Sequence, residues 1–170
     1  MILETERLTI HQIDLGDAPY IYELMNSPKW LAYIGDRGIH TLENAKSYIQ
    51  NNIFRDYNIY GFSTYKVILK ATGEIVGTCG LHKRDYLDHP DIGYATLPQH
   101  EGFGYISEAA KGVLEYGKKV LKLEEILAIT NVDNEGSQKL LTKIGLHFQR
   151  KTFFEAINAE VLVFSTGGNG

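Results

Sequence analysis

The feature that most constrains this chain is a change of period in its second half. Asp91–Leu97 reads as a strand, and Gln99-His100-Glu101-Gly102-Phe103-Gly104 follows as a glycine-bearing turn. Then Ile106, Ala109, Ala110, Val113, Leu114, Gly117 and Leu121 recur at spacings of 3, 1, 3, 1, 3 and 4 residues, the signature of an amphipathic helix. A short strand is expected next, at Glu125–Thr130. Strand, helix and strand in succession form a right-handed crossover, so the two strands lie parallel.

The flanking segments are of a different kind. Arg7–Gln12 reads as a first strand, with Leu8 and Ile10 on one face. Asp17 is expected to cap a helix that runs from Pro19 to about Asn26 and stops at Ser27-Pro28. Pro28–His40 reads as a loop. A second helix is expected from Thr41, with Leu42, Ala45, Tyr48, Ile49 and Ile53 at helical spacing. Gly61–Lys70 and Glu74–Leu81 read as a hairpin about Ala71-Thr72-Gly73. After the crossover come a helix at about Glu135–Ile144, ended by Gly145, and two strands at about Leu146–Phe154 and Ala159–Ser165. The order β-α-α-β-β-β-α-β-α-β-β predicts an α/β (α+β) domain over 1–166. Its sheet is mixed and mostly antiparallel, with a central parallel pair and helices on both faces. A flexible tail at 167–170, fraying from Thr166, completes the expectation.

Composition narrows the function. A formal net charge of −4 argues against a nucleic-acid binder. The N-terminal residues are charged and lack the apolar run of a secretory signal, and no run approaches a membrane span, so a cytoplasmic protein is expected. Cys79 is the single cysteine and excludes an internal disulfide. The histidines, His11, His40, His82, His89, His100 and His147, show no metal-ligand spacing, and no metal is expected.

The glycine turn is where chemistry is expected. Gly102 and Gly104 permit unusual dihedrals and close approach of a ligand to backbone. The helix behind them begins with unpaired amides and the positive end of its dipole. Such a turn suits phosphate, although two glycines also serve a plain tight turn. A third glycine at the dinucleotide spacing is missing, and so is the Gly-Lys-Ser/Thr of a P-loop.

The sequence resembles the GNAT acetyltransferase superfamily, whose cofactor motif is Gln/Arg-x-x-Gly-x-Gly/Ala. More closely it resembles the branch of the ribosomal-protein alanine N-acetyltransferases. The landmarks are Thr5-Glu-Arg-Leu8, Gly73-Glu-Ile-Val-Gly-Thr-Cys-Gly-Leu81, Asp91-Ile-Gly-Tyr94, the glycine turn, Ser107-Glu-Ala-Ala110 and Asn134-Glu-Gly-Ser-Gln-Lys-Leu-Leu141. The resemblance implies acetyl-CoA as cofactor, with Gln99 to Tyr105 around its pyrophosphate. It implies pairing of Ala95, Thr96 and Leu97 with the pantetheine arm as an added strand. Asn134 would bond that arm, Ser137 would protonate the departing thiolate, and Asp91 would act as base through water. Two positions depart from the branch: Phe103 stands where Lys or Arg is common, and Asp91 where Glu is common.

Each of these residues has an ordinary alternative. Asn134 can cap the helix behind it, Ser137 can face solvent, and Asp91 can be a solvated charge. His100 can be exposed or touch a phosphate. Cys79 reads as core. Trp30, Tyr33, Asp36 and Tyr94 are the candidates for the acceptor pocket, although Trp30 and Tyr33 can equally pack in the core. The expected acceptor is an α-amine of a protein N-terminus, or a small amine, with no direct nucleic-acid or membrane partner; a homodimer is left open. The alternatives are an acetyltransferase for polyamines or lysine side chains, a non-catalytic acyl-CoA-binding module, and a structural domain without a ligand.

Overall fold

The computed structural model describes residues 1–167. Eight strands form one sheet: β1 (Leu3–Glu4), β2 (Leu8–Gln12), β3 (Thr64–Leu69), β4 (Ile75–His82), β5 (Asp91–Ala95), β6 (Leu127–Asn131), β7 (His147–Phe154) and β8 (Ala159–Ser165). Their order is β1-β2-β3-β4-β5-β6-β8-β7. Every neighbouring pair is antiparallel except β5 and β6. The helices are α1 (Ala18–Met25), α2 (Pro28–Tyr33), α3 (Leu42–Tyr48), α4 (Arg55–Tyr60), α5 (Tyr105–Lys119) and α6 (Glu135–Lys143). None of the described helices is long and apolar enough to cross a membrane.

The change of period produces the centre of the molecule. α5 lays Ala109, Ala110, Val113, Leu114 and Gly117, all buried, against the sheet. β4 is buried on both faces from Val76 to Leu81, as a central strand must be. A second apolar cluster joins α1 to α3 through Ile13, Ala18, Ile21, Met25, Ala45 and Ile49.

Several expectations need correction. Pro28–His40 is not all loop: Pro28 opens the short helix α2, where a missing N–H costs nothing. The helix expected from Thr41 runs on past Ile53, through a π-turn at Ile49–Phe54, into α4. Asp17 stands at the start of α1 but makes no capping bond there. Its carboxylate accepts instead from the Asp14 amide at 2.8 Å and from Lys66 Nζ at 2.8 Å. β4 reaches one residue further than expected, to His82, and β5 stops two residues earlier, at Ala95. Of the expected tail, 168–170 lie outside the described residues. Thr166 does not fray: it bonds Ile126 through its amide at 3.0 Å and its hydroxyl at 2.9 Å.

The parallel pair has an unusual register. β5 and β6 are paired only at Asp91↔Leu127, beside a Leu127 N–H bond to the Pro90 carbonyl at 2.9 Å. Beyond that point Ile92–Ala95 and Ala128–Asn131 diverge, and the sheet opens as a wedge.

Candidate functional site

Gly102 (φ +83°) and Gly104 (φ +78°) take left-handed backbone that residues with a Cβ adopt rarely. Gly104 is the N-cap of α5 and no side chain caps the helix. The amides of Gly102, Phe103, Gly104 and Tyr105 donate to no protein acceptor among the described residues. They gather at the positive end of a 15-residue helix, so an anion there meets both aimed donors and dipole.

Arg7 lies against the turn at Phe103. Its guanidinium donates to the Phe103 carbonyl at 2.9 Å and to Glu108 Oε1 at 2.7 Å, and it stacks on Tyr105 at 4.9 Å. Glu108 also accepts from Thr5 Oγ1 at 2.5 Å and from the Arg7 amide at 2.9 Å. Those donors outweigh its partial burial and hold its carboxyl below the usual range. The Thr5-Glu-Arg-Leu8 motif therefore braces the start of α5 from the far edge of the sheet.

A cavity of about 920 Å³ occupies the wedge and extends past it. Gly102, Gly104 and Tyr105 line it beyond the C-terminal end of β5, the facing edges of β5 and β6 along its length, and Arg84 near the start of β5, with Trp30, Tyr33, Tyr48 and Tyr86 also contributing. Trp30 Nε1, His82 Nδ1, Tyr86 Oη, His100 Nδ1 and Thr130 Oγ1 are buried without a partner, and all five belong to residues lining the cavity. Buried polar atoms are ordinarily satisfied, so five orphans around one cavity mark where a polar ligand fits. α2 spans the opening: Lys29 pairs with Glu101 at 3.1 Å, and the Tyr33 carbonyl accepts from Asn131 Nδ2 at 2.8 Å.

At the middle of the wedge, Ser137 Oγ and Tyr94 Oη are 2.7 Å apart. Burial pushes the Tyr94 phenol up to about 12, against the opposing bond to Ser137, so it stays protonated at neutral pH. Asn134 Oδ1 accepts from the Ser137 amide at 3.2 Å and caps α6, which leaves its NH₂ facing the cavity it lines free to donate.

Asp91 is 1% exposed and accepts from Arg84 Nε at 2.8 Å. Burial and Arg84 pull its carboxyl in opposite directions; burial is the larger, and the group is pushed up to about 6. His82 stands opposite Asp91 in the β4–β5 ladder. Its Nε2 is 3.0 Å from Thr64 Oγ1, and burial, with help from Arg84 and Arg37, pushes it down to about 3. It is a neutral imidazole. The reading of the sequence missed both His82 and Arg84. The register signal was there, because a hairpin extended one residue past Leu81 puts His82 across from Asp91.

The other expected residues divide. Trp30, Tyr33, Tyr94, Ala95, Thr96, His100, Glu101 and Asn134 line the same cavity. Leu97 lies past the end of β5 with its side chain buried, so it does not extend the strand edge. Gln99 sits in a 3₁₀ turn and does not line the cavity. Phe103 is 56% exposed, stacks on Tyr105 and contributes only backbone to the turn. Asp36 does not line this cavity: its carboxylate accepts from the Gly38 amide at 2.8 Å and lies 3.7 Å from His40 Nε2. No group of side chains suited to a metal occurs among the described residues.

Comparison with known proteins agrees with the fold. A profile of the acetyltransferase (GNAT) domain matches residues 7–147. The uncharacterized N-acetyltransferase YoaA of Bacillus subtilis is 33% identical, over 88% of this chain and 84% of its own. The crystal structure of a GNAT-family acetyltransferase from Bacillus anthracis superposes with a TM-score of 0.79 at 26% identity, covering 96% of each chain. The RimL ribosomal L7/L12 alpha-N-protein acetyltransferase, solved in complex with coenzyme A, shares the fold with a TM-score of 0.81 at 16% identity and 96% coverage of both.

Proposed function

The chain belongs to the GNAT acetyltransferase domain family and is an N-acetyltransferase, and from that premise we propose that it transfers acetyl from acetyl-CoA directly to an α-amine of a protein N-terminus or to a small amine of similar basicity. One observation carries the cofactor site: the wedge where β5 and β6 part runs into an uncapped helix N-terminus whose turn amides have no partner. The residues present suit the cofactor. The amides of Gly102, Gly104 and Tyr105 would hold a pyrophosphate, and the free edge of β5 at Ala95 would pair with an amide-bearing arm as a strand does. When bound, acetyl-CoA supplies a thioester carbonyl and a thiolate leaving group.

The chain's own groups then do the following. Tyr94 and Ser137, linked at 2.7 Å, offer an O–H to a developing thiolate, and the high phenol keeps that proton in place until it is needed. Asn134 donates to the arm while its carbonyl oxygen caps α6. Asp91 receives the amine's proton through water, with a carboxyl near 6 tuned for work close to neutral pH.

The acceptor follows from the weakness of the bases. Only a neutral amine attacks a thioester. At about pH 7.5 roughly a third of a free α-amine is neutral, against about 0.1% of a lysine side chain. Recovering that factor needs a strong, reachable base. Here Asp91 is buried and tied to Arg84, and His82 binds a proton poorly. An α-amine needs little help. The test is a competition between a lysine-free peptide with a free N-terminus and the same peptide N-terminally blocked with one lysine, read by thiol release. Faster acetylation of the free N-terminus is expected; faster acetylation of the blocked lysine peptide refutes the acceptor assignment.

A further inference from the structure

Charge around the cavity is lopsided. Three carboxylates line the cavity, and each has its own cation: Asp56 with Arg55 at 3.0 Å, Asp91 with Arg84 at 2.8 Å, and Glu101 with Lys29 at 3.1 Å. Two further cations line the cavity without a carboxylate partner among the described residues, Arg37 and Lys83. Lys83 Nζ donates only to the carbonyls of Arg84 at 3.1 Å and Leu87 at 3.2 Å. Arg37 makes no hydrogen bond or ion pair among the described residues.

The Arg37 side chain is exposed, but the loop that carries it is held in place. Its loop is turned by Asp36, whose carboxylate takes the Gly38 amide, and fastened where Asn26 Nδ2 donates to the Ile39 carbonyl at 2.7 Å. Its positive field reaches the Tyr48 hydroxyl together with those of Arg84 and Arg55, and reaches His82 together with that of Arg84. In a chain of net charge −4, two exposed cations that line one cavity without a carboxylate partner make that part of the surface favourable to an anion.

We infer that the acceptor amine carries an oxyanion, a carboxylate or a phosphate, and that Arg37 with Lys83 selects it. The inference rests on the acetyltransferase reading and narrows its substrate class. It turns the acceptor away from polyamines, whose positive chain would face Arg37 and Lys83 with like charge. It also reverses the expected part of Asp36, which shapes the turn that presents a cation instead of meeting one. Arginine suits the task because its planar fork binds carboxylate or phosphate through two parallel bonds.

The test uses matched amines at saturating acetyl-CoA, compared at equal concentrations of neutral amine: aspartyl-glycinamide against asparaginyl-glycinamide, phosphoethanolamine against ethanolamine, and spermidine. Thiol release gives kcat/KM for each with wild type, Arg37→Gln and Arg37→Lys. At least one anionic member is expected to exceed its neutral twin by about tenfold, the value of a charge-assisted bond. Which pair shows it distinguishes carboxylate from phosphate. Arg37→Gln is expected to shrink that preference by about fivefold through the anionic amine's KM, and Arg37→Lys to restore part of it. Neutral twins used equally well, spermidine used best, or a preference indifferent to Arg37→Gln overturns the inference while leaving acetyl transfer standing. No thiol release from any of these amines, while the lysine-free peptide with a free N-terminus is acetylated, overturns the inference alone; failure of that peptide as well overturns the acceptor assignment on which the inference rests.

Discussion

Replacing Asp91 with Asn tests whether burial or its arginine controls the candidate base. Asp91 is 1% exposed and bonded to Arg84 at 2.8 Å, with its carboxyl pushed up to about 6. In the unfolded chain an aspartate titrates near 3.9. The difference of about 2 units, at 1.36 kcal/mol each, is about 3 kcal/mol. The sign follows from proton counting. Between about pH 4 and 6 the folded protein keeps a proton that the unfolded chain has already lost. Asp91 therefore contributes full stability below about pH 4 and loses it as pH rises through 6. Urea unfolding of wild type and Asp91→Asn, at fixed temperature and at steps from pH 4 to 7.5, isolates this group, because other titrations are common to both proteins. Removing Arg84's partner adds a penalty to the variant, but that offset is independent of pH and drops out of the slope. Wild-type stability minus that of the variant is expected to fall by about 3 kcal/mol across the range. A flat difference, or one that rises with pH, refutes the reasoning. Either would mean that the folded carboxyl titrates no higher than it does in the unfolded chain, and such a group could not take a proton near neutrality.

Gly104→Val places a branched side chain at φ +78°, 3.4 Å from Arg7 Nη2, and is expected to weaken acetyl-CoA binding by at least tenfold in calorimetric titration with the fold intact by circular dichroism. Unchanged affinity would remove the turn from the cofactor site. Ser137→Ala is expected to lower kcat by up to about 10²-fold with little change in acetyl-CoA affinity, since it breaks the contact with Tyr94; an unaltered kcat would exclude the hydroxyl pair from the reaction. Cys79 is fully buried and burial pushes its thiol up, so it holds little thiolate. Cys79→Ala is expected to keep most turnover, and initial-rate patterns to show both substrates bound together; lost turnover in a folded variant with ping-pong kinetics would contradict direct transfer.

What the sequence made legible was whatever repeats locally. The period of α5, the hairpin about Gly73 and the glycine turn are visible within short windows, and each lies where the windows place it. The reading failed where contacts span the chain. Arg7 reaches Phe103 across 96 residues and Asn131 reaches Tyr33 across 98, and no periodicity announces either. α2 is too short to show a period, and its proline reads as a stop although it opens a helix. His82 escaped because the strand was ended at Leu81, one residue early; with that residue restored, antiparallel register alone pairs it with Asp91. Asp36 was given to the acceptor because a carboxylate suits an ammonium, but Asp two residues before a glycine amide more often closes a turn, as it does here.

An acidic chain that binds a polyanion must keep its own carboxylates from acting on the site, and the structure shows how this one does so. Glu108, in the first turn of α5, stabilises the helix through its dipole, yet it also sits where an anion must approach. Arg7 and Thr5 hold it and spread its charge over three donors. Glu101, within the phosphate turn itself, is drawn to Lys29, and Glu74 pairs with His100 at 2.7 Å. Asp91 and Asp56 are matched by Arg84 and Arg55. With each of these carboxylates locally paired, what remains facing the cavity is the set of turn amides and the unpaired cations. The charged side chains lining the cleft, five cations against three carboxylates, are thus opposite in balance to the formal charge of the chain, and substitutions at Arg7 or Lys29 should weaken anion binding even though both are themselves paired with carboxylates. Arg7→Gln is the sharper case: it releases Glu108 beside α5's amides, so acetyl-CoA affinity should drop, and the drop should shrink in Arg7→Gln/Glu108→Gln, where the freed charge is gone. A double variant as weak as the single one would show that Arg7 acts by direct charge and not by restraining its neighbour.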